Sequence, residues 1–484
     1  MTLFHHRIVI KSVSLFVIVA GAFMLVCLPV SLAYSENAVN AILLSSGVTL
    51  GAGLTGWFLA GKFNKEELGK RESYLIVVLT WIGMAFFGAL PYLFSGAIPD
   101  LTDAFFESIS GLTTTGASIL NDIEAVPKSI LFWRSLTHWI GGMGIVVFSI
   151  AILPIFGIGG MQLFVAEVPG PTKDKLHPRI KETARRLWGI YVILTFAQTA
   201  LLMAGNMDLF DALCHSFSTV SSGGFSTRNL SMGAFSDYSQ YITIIFMILA
   251  GTNFTLHYLL LLGRFKEALK NEELWLYLSV IGLAVITISS VLVLNEYASF
   301  ERSFRDSLFQ VTSIVTCTGF GTADYMLWPK FSWFLIFLLM FVGGCAGSTA
   351  GGIKVIRHLL LFKNSFLEFR SILHPAAYIP LLYNGKPVSQ GIRSNILTIF
   401  FLYLLTFSIG SLLIIMTGSD KITAMGSVVS CMGNIGPGLA ATGPASNYFL
   451  MSVAGKWILS ALMLIGRLEL LTVYVLFTRS FWRK

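Results

Sequence analysis

Four short runs of small, hydroxyl-bearing and glycine residues, each between two long apolar segments, constrain this chain more than any other feature. Bilayer hydrocarbon cannot hydrogen-bond bare backbone, so irregular backbone survives at that depth only where it is buried in protein or lines water. The runs are Thr113, Thr114, Thr115 and Gly116; Ser221, Ser222, Gly223 and Gly224; Thr316, Cys317, Thr318 and Gly319; and Gly433, Asn434, Ile435 and Gly436. They predict one shared pore lined by backbone carbonyls, an arrangement that can hold a dehydrated monovalent cation.

The composition indicates a polytopic membrane protein. Apolar residues make up 55% of the 484 residues and charged residues only 12%, with a mean hydropathy of +0.75. Soluble domains carry about 25% charged residues, and no polar stretch here is long enough for a separate soluble domain. The five cysteines and eight histidines show none of the spacings of metal or nucleophile sites. The sequence therefore predicts neither an organic cofactor nor an enzyme.

The chain repeats one unit four times: an apolar outer helix, a short amphipathic helix, a glycine-containing run and an apolar inner helix. An aspartate near the start of the short helix and a glycine at the end of the run recur at constant offsets, as Asp103 with Gly116, Asp211 with Gly224, and Asp306 with Gly319. The fourth unit keeps Gly436 and has Thr423 at the aspartate position. Parallel repeats of this kind surround an axis along the membrane normal. The predicted fold class is an all-α membrane protein with four pseudo-fourfold helix–pore-loop–helix repeats around one pore, plus two N-terminal transmembrane helices.

The predicted boundaries follow from the apolar segments and the polar punctuation between them. The domains are two N-terminal transmembrane helices at 1–67 and four pore repeats at 68–165, 166–268, 269–375 and 376–484. The leading helices lie at about 7–33 and 38–61, and the outer helices at about 72–95, 180–205, 273–298 and 391–417. The short helices lie at about 101–112, 209–220, 304–315 and 420–432, and the inner helices at about 129–157, 238–263, 330–362 and 449–480. Only the third inner helix is expected to be broken.

The distribution of the 33 lysine and arginine residues predicts the orientation. With both termini and the loops between units in the cytoplasm, 24 of them lie on that side, 8 lie on the other, and Arg467 lies within the membrane. Cytoplasmic loops carry the excess of basic residues, so the four runs open to the outside. The basic segments 173–186 and 264–270 then face the lipid headgroups of the bilayer. The formal charge of +8 therefore does not require nucleic acid as a partner.

A second glycine-rich segment lies inside the third inner helix. Glycine costs about 1 kcal/mol relative to alanine inside a helix, so the segment predicts a break below the four runs, where a loop can cross the pore. Helix packing through small residues is the alternative. Arg467 lies deep in the fourth inner helix, where a charge usually faces a water-filled interior; it is either an electrostatic barrier below the runs or an arginine held by carbonyl groups. The predicted gate comprises Gly343, Gly344, Gly347, Ser348, Thr349, Gly351, Gly352, Lys354 and Arg467.

On these motifs the chain resembles the Trk/Ktr/HKT superfamily of potassium transport proteins, most closely its bacterial TrkH branch, which also carries two leading helices. In that superfamily each of four non-identical units contributes one loop with one glycine to a potassium filter. Members with serine at the first glycine tend towards sodium, so Gly116 implies K⁺ as the permeant ion. The four runs are then the filter, although the fourth, Gly433 to Gly436, has no hydroxyl residue.

The resemblance implies further features that the residues alone do not show. It places an intramembrane gating loop in the third inner helix and an arginine in the fourth. It implies a multi-pass protein of the bacterial inner membrane. It also implies a homodimer and a cytoplasmic nucleotide-binding regulatory subunit.

A cation-coupled symporter, K⁺/H⁺ or K⁺/Na⁺, that works by alternating access is a different class that stays open. It would be expected to have inverted repeats and paired intramembrane carboxylates. The repeats here run in one direction, and the candidate carboxylates Asp103, Asp211 and Asp306 lie at the outer starts of the short helices. No residue pattern decides whether the driving force is the membrane potential or a co-transported ion.

Overall fold

The computed structural model describes residues 6–61, 70–144, 180–377 and 379–483. These ranges are mostly α-helical, and one small hairpin pairs Leu382–Tyr383 with Lys386–Pro387 in antiparallel register. The α-helices are His6–Leu25, Leu28–Ala33, Val39–Leu59, Lys70–Gly88, Leu90–Phe94, Leu101–Leu112, Lys128–Trp139, Ile180–Ala204, Leu209–Val220, Asp237–Gly251, Phe254–Leu261, Phe265–Leu269, Glu272–Leu294, Phe300–Val315, Lys330–Leu339, Val355–Leu373, Gln390–Met416, Lys421–Gly433, Val453–Arg467, Leu470–Tyr474 and Arg479–Trp482. A π-helical turn covers Ile140–Gly144, and short 3-10 turns cover Ser231–Ala234, Tyr325–Leu327, Ala440–Thr442 and Val475–Phe477.

Six helices in the described ranges are long and apolar enough to cross a membrane, or up to eight spans if each of two sharply bent helix pairs counts as one. The six are His6–Ala33, Val39–Leu59, Arg71–Phe94, Arg185–Ala204, Glu272–Leu294 and Gln390–Met416. They correspond to the two leading helices and the four outer helices of the sequence prediction. Residues 173–179 of the predicted basic segment 173–186, residues 145–157 of the first predicted inner helix and most of the loop after the second helix lie outside the described residues.

The four short helices begin at side-chain caps and end at the glycine runs. Asp100, Asp208, Ser299 and Asp420 each accept a hydrogen bond from a backbone N–H in the first turn of their helix. Such a cap satisfies a donor that has no partner inside the helix. The predicted bounds of the first two short helices agree with the structure. The third begins four residues earlier than predicted, at Phe300, because the Ser299 cap lies a full turn upstream.

The inner helices differ from the prediction, which expected only the third to be broken. The second bends by 102° between Asp237–Gly251 and Phe254–Leu261, and the fourth bends by 111° between Val453–Arg467 and Leu470–Phe477. Asn253 caps the new helix after the first of these bends. Glu469 has a positive φ of 60° at the other, a conformation that a continued α-helix cannot contain. Hydropathy does not distinguish a bent apolar segment from a straight one, so the sequence prediction missed both bends.

The units close into a ring because each inner helix packs against the short helix of the next unit. Lys128–Trp139 packs on Leu209–Val220, and Asp237–Gly251 packs on Phe300–Val315. The third inner helix shares an apolar cluster, through Met340, with the fourth short helix. The fourth inner helix, Val453–Arg467, packs on Leu101–Leu112 of the first unit.

The two leading helices pack against each other and stabilise the first unit from its periphery. The turn between them carries Glu36, whose carboxylate accepts hydrogen bonds from the backbone N–H groups of Lys128 and Ser129 and from the Ser129 hydroxyl. These groups start the first inner helix, so Glu36 acts as a cap supplied by another element. The leading pair thereby fixes the entry of an inner helix.

Candidate functional site

The four glycine runs share one backbone turn, formed where each short helix ends. The residue two before the final glycine is left-handed in every run: φ is 53° at Thr114, 58° at Ser222, 55° at Cys317 and 51° at Asn434. The next N–H bonds a serine carbonyl five residues back, as Thr115 to Ser110 at 2.8 Å, Gly223 to Ser218 at 2.7 Å, Thr318 to Ser313 at 2.8 Å and Ile435 to Ser430 at 2.9 Å. This is the Schellman end of a helix, where glycine is usual at the left-handed position. None of these four residues is glycine, so each turn holds strain of about 1–2 kcal/mol, the kind that clusters at functional sites.

The glycine that ends each run also has a positive φ and contacts the neighbouring run. The φ values are 79° at Gly116, 77° at Gly224, 81° at Gly319 and 104° at Gly436. A Cβ added to Gly116 would lie 2.1 Å from the carbonyl oxygen of Gly223, and one on Gly224 would lie 1.9 Å from that of Thr318. A Cβ on Gly319 would lie 1.9 Å from the oxygen of Ile435, and one on Gly436 would lie 2.8 Å from that of Thr115. Glycine is therefore required at these positions for two reasons: other residues disfavour the positive φ, and there is no room for a Cβ.

These contacts join the four runs in a closed cycle. The first run touches the second, the second the third, the third the fourth, and the fourth returns to the first. We call the four joined runs the ring, and the carbonyl groups of Thr115, Gly223, Thr318 and Ile435 the ring carbonyls. The structure thus brings all four predicted runs together around one axis, and their residues are buried or nearly so.

Side chains behind the ring connect its members and differ between units. Hydroxyl pairs join Thr113 to Thr115 and Thr316 to Thr318, each at 2.7 Å. In the fourth run, which has no hydroxyl, the Asn434 amide donates to the Thr115 hydroxyl at 3.0 Å. The hydroxyl residues therefore support the turns and do not all point towards one axis.

The second run has Gly223 where the others have a side chain, and His138 explains the difference. A Cβ on Gly223 would lie 2.1 Å from Nδ1 of His138. The imidazole of His138 is fully buried and stacks on the phenyl group of Phe225, with 4.0 Å between their centroids. Ser221 and Ser222 are equally buried, and their hydroxyls bond Phe217 and Thr349.

A buried ion pair supports the first two runs, and the sequence analysis did not identify it. Arg134 Nε lies 2.6 Å from Glu107 Oε1, and both side chains are almost completely buried. Glu107 also accepts from Ser118 and from the N–H of Ile119, on the chain that returns from the first run. Arg134 reaches the carbonyl of Ser226 beyond the second run. The available signal was a glutamate that directly follows the apolar run Ala104, Phe105 and Phe106 of the short helix.

The predicted gate segment lies against the ends of the short helices, on the inner side of the ring. A Cβ on Gly351 would lie 2.3 Å from the carbonyl oxygen of Gly433, and one on Gly352 would lie 3.4 Å from the Cys317 sulfur. The Thr349 hydroxyl donates to the carbonyl of Val220 at 2.9 Å and pairs with the Ser222 hydroxyl. The break between Lys330–Leu339 and Val355–Leu373 therefore contacts three of the four units directly beside the ring.

The segment is ordered by its own backbone and by the second inner helix. Gly343 N–H donates to Ile353, and the carbonyl of Gly344 accepts from Val355, which closes the base of a loop. The tip is held at the bend of the second inner helix, where Phe254 N–H donates to Gly347 and Cys345 N–H donates to Gly251. Ser348 bonds the carbonyl of Cys345, and Lys354 bonds that of Ala350, both inside the loop.

Arg467 lies at the bend of the fourth inner helix and bridges the loop to the first unit. One guanidinium nitrogen donates to the carbonyl of Thr349 at 2.9 Å, and the other donates to Gly141 at 2.7 Å and Gly142 at 2.8 Å. Gly141 and Gly142 belong to the π-helical turn of the first inner helix. Glu469 pairs with Arg357. Both interpretations of Arg467 remain open because it is held by carbonyl groups and is also next to the loop.

The outer side of the ring carries acidic residues whose partners are visible. Asp103 pairs with Lys456 of the fourth unit, Asp211 with Arg228, and Asp306 with Arg302. Asp122 is exposed in the outer loop of the first unit, where the Asn229 amide donates to it at 2.9 Å. That hydrogen bond lowers the pKa of Asp122 below its ordinary value, so the carboxylate stays charged at neutral pH.

The described residues define a class of membrane protein in which four helix–loop–helix units meet around one axis. The family described as "TrkH: Cation transport protein" matches residues 40–484, and the chain belongs to that family. The Trk system potassium uptake protein TrkH of Escherichia coli K12 is 44% identical over 486 residues, covering 99% of this chain and all of that protein. TrkI of Halomonas elongata is 32% identical over 482 residues, 98% of this chain and 97% of that one.

The crystal structure of the potassium transporter TrkH from Vibrio parahaemolyticus superposes with a TM-score of 0.89 at 36% identity. The match covers 99% of this chain and 100% of that one. The predicted superfamily and fold class are confirmed. Membership of a transport family also confirms the prediction that the chain is a membrane transport protein and not an enzyme.

Proposed function

We propose that this protein takes up potassium through a channel-like pore. The four runs form its selectivity filter, and the loop in the third inner helix forms its gate. The observation that carries the proposal is the closed cycle of contacts between the four runs. Four equivalent turns from one chain supply carbonyl oxygens from all sides of an axis, which can replace the water shell of an alkali cation. The relatives named as potassium uptake proteins support K⁺ as that cation.

The gate proposal is supported by the position of the loop 341–354. It contacts the inner ends of the second, third and fourth short helices and is bridged by Arg467 to the first unit. A barrier at this place lies in the path of an ion that leaves the ring towards the cytoplasm. Displacing the loop would open that path without altering the ring.

The setting of the protein is part of the same proposal. The excess of basic residues on one side supports an orientation with both termini in the cytoplasm, and the relatives support a bacterial inner membrane. We propose a homodimer and a cytoplasmic nucleotide-binding regulatory subunit, which the family resemblance implies. The domain boundaries at 67, 165, 268 and 375 are proposed on the repeat pattern.

Single-channel recording of the purified protein in a planar bilayer tests the proposal against an alternating-access symporter. Conductance above about a million ions per second supports a pore, because rocking motions take microseconds to seconds. A flux that stays far below this rate and depends on a proton or sodium gradient would favour the symporter.

The choice of ion is tested by competition between K⁺, Rb⁺ and Na⁺ in tracer uptake, with Gly116→Ser beside the wild type. We expect K⁺ and Rb⁺ to compete and Na⁺ to compete poorly. Gly116→Ser should reduce the discrimination, since the added Cβ would press on the carbonyl of Gly223. Equal competition by all three ions in the wild type would contradict a potassium filter.

A further inference from the structure

A buried glutamate outside the predicted gate contacts the gate loop at two points. Glu273 is the second residue of the outer helix of the third unit and is 1% exposed. Its Oε1 accepts a hydrogen bond from the N–H of Ala346 at 2.6 Å and another from the N–H of Ile356 at 3.2 Å. Ala346 lies in the first half of the loop and Ile356 in the helix that follows it, so one oxygen atom ties the two ends together.

The surroundings of Glu273 hold its carboxylate in one position. It lies in the first turn of Glu272–Leu294. Ala346 and Ile356 belong to an apolar cluster that includes Leu381, beside the hairpin, and Tyr383 of the hairpin packs against this cluster. Water is thereby kept from the two hydrogen bonds, and a hydrogen bond in apolar surroundings is stronger than one exposed to water.

We infer that Glu273 is the positioning residue that holds the gate loop in its blocking place beneath the ring. The inference rests on the proposed function of the loop. In this arrangement the second inner helix holds the loop tip, Arg467 holds its pore side, and Glu273 holds its base. Loss of the base contacts frees 347–352 to leave the axis, while the turns of the ring keep their own hydrogen bonds.

The test compares Glu273→Gln, Glu273→Ala and Glu273→Asp in liposomes loaded for passive Rb⁺ flux. Glutamine keeps an oxygen at the same reach and should stay within about twofold of the wild type. Alanine removes the acceptor and aspartate withdraws it by one methylene, and leaving two buried N–H groups without their acceptor should raise the flux about tenfold or more. If only the buried charge mattered, Glu273→Asp would keep the wild-type flux and Glu273→Gln would raise it. That result would overturn the inference.

Glu272→Ala is the matched control because Glu272 is the neighbouring residue in the same helical turn. Its carboxylate pairs with Lys363 and makes no contact with the loop. We expect its flux to stay at the wild-type level. The ratio of K⁺ to Na⁺ flux should also stay unchanged in the leaky Glu273 variants, since a general loss of folding would disturb the filter as well.

Labelling of Cys345 gives a readout independent of transport. Cys345 is buried beside Ala346, so its reaction with a water-soluble maleimide, in a chain whose other cysteines are replaced, reports whether the loop is held. Glu273→Ala should speed the reaction about tenfold or more, and an unchanged rate would refute the anchoring role.

Shortening 345–350 distinguishes a failure of the proposed gate from a failure of the proposed anchor. If the shortened loop raises the flux while Glu273→Ala changes neither flux nor labelling, only the inference about Glu273 fails. If labelling rises but neither change alters flux, the gate fails and the anchor stands.

Discussion

The ring of four runs and the layer of inner helices beneath it are built by the same four repeats, yet only the ring keeps their symmetry. Every run has the same left-handed turn, serine carbonyl contact and positive-φ glycine. The inner helices instead show a π-helical turn, a 102° bend, a long loop and a 111° bend. An ion on one axis needs equivalent ligands from all sides, whereas a barrier needs only one segment of the chain that can move. The difference separates the part that would coordinate the ion from the part that would control its passage.

The largest effect is expected where the ring is supported by a buried charge pair. Glu107→Ala would leave Arg134 buried without its carboxylate, which costs about 3–5 kcal/mol. We expect a strongly lowered thermal unfolding midpoint and loss of K⁺-selective uptake, both measured on the purified protein. Glu267→Ala is the control, because its pair with Arg264 is exposed and is worth at most about 1 kcal/mol. Equal destabilisation by the two variants would show that the ring does not depend on this pair.

The symmetry of the ring itself is tested by adding one methyl group. In Gly319→Ala the Cβ would lie 1.9 Å from the carbonyl oxygen of Ile435, and the residue would have to keep a left-handed φ. Overpacking and torsional strain together cost about 3 kcal/mol, so K⁺ uptake should fall about a hundredfold.

Gly282→Ala controls for the substitution, because no atom of the described residues lies within 4 Å of a Cβ at that position. It should transport normally. Normal uptake by Gly319→Ala as well would mean that the contact between the third and fourth runs is not needed for permeation.

The asymmetric layer is tested at Arg467, with a smaller effect. Arg467→Ala should raise passive flux about tenfold, since it removes hydrogen bonds from a charged group to the loop and to the first unit. Arg467→Lys distinguishes the two roles left open by the sequence. A lysine keeps the charge but cannot span both sets of carbonyls, so wild-type flux in this variant indicates an electrostatic barrier and raised flux indicates a bridge. A flux that is unchanged or slower in Arg467→Ala would contradict both.

The smallest effect is expected at the outer mouth. Asp122→Asn should weaken the apparent affinity for K⁺ by about twofold at low ionic strength, and the change should vanish at high salt, where surface charges are screened. Because the pKa of Asp122 is lowered, the wild-type residue is charged at all pH values above its ordinary range and should add no pH dependence between about pH 6 and 8. Initial rates of tracer uptake at two salt concentrations check this prediction.

The ring was predictable from the sequence because each of the four repeats contains a corresponding run. The spacing of Gly116, Gly224 and Gly319 and the polar residues before them predicted the first three runs, and Gly436 at the corresponding position predicted the fourth. The left-handed torsions at Thr114, Ser222 and Cys317 were not predictable, since these residue types do not signal that torsion, whereas Asn434 is of a type that favours it. The break in the third inner helix was visible from its glycines.

The remaining features depend on torsions and side-chain contacts that no hydropathy pattern encodes. The bends of the second and fourth inner helices follow an Asn253 cap and a positive φ at Glu469, which hydropathy does not reveal. Glu107 and Glu273 resemble ordinary polar residues of helices until their partners, about ten to eighty positions away, are seen. Sequence reasoning therefore predicted the four runs that the structure brings together and missed the side chains that position them.

The central claim is that the four runs coordinate the permeant ion together, and anomalous diffraction from crystals grown in Rb⁺ tests it most directly. We predict anomalous density on the axis of the ring, within coordination distance of the ring carbonyls and of no charged side chain. Rb⁺ bound only elsewhere, or no ordered Rb⁺ in the ring at concentrations that support uptake, would contradict the account.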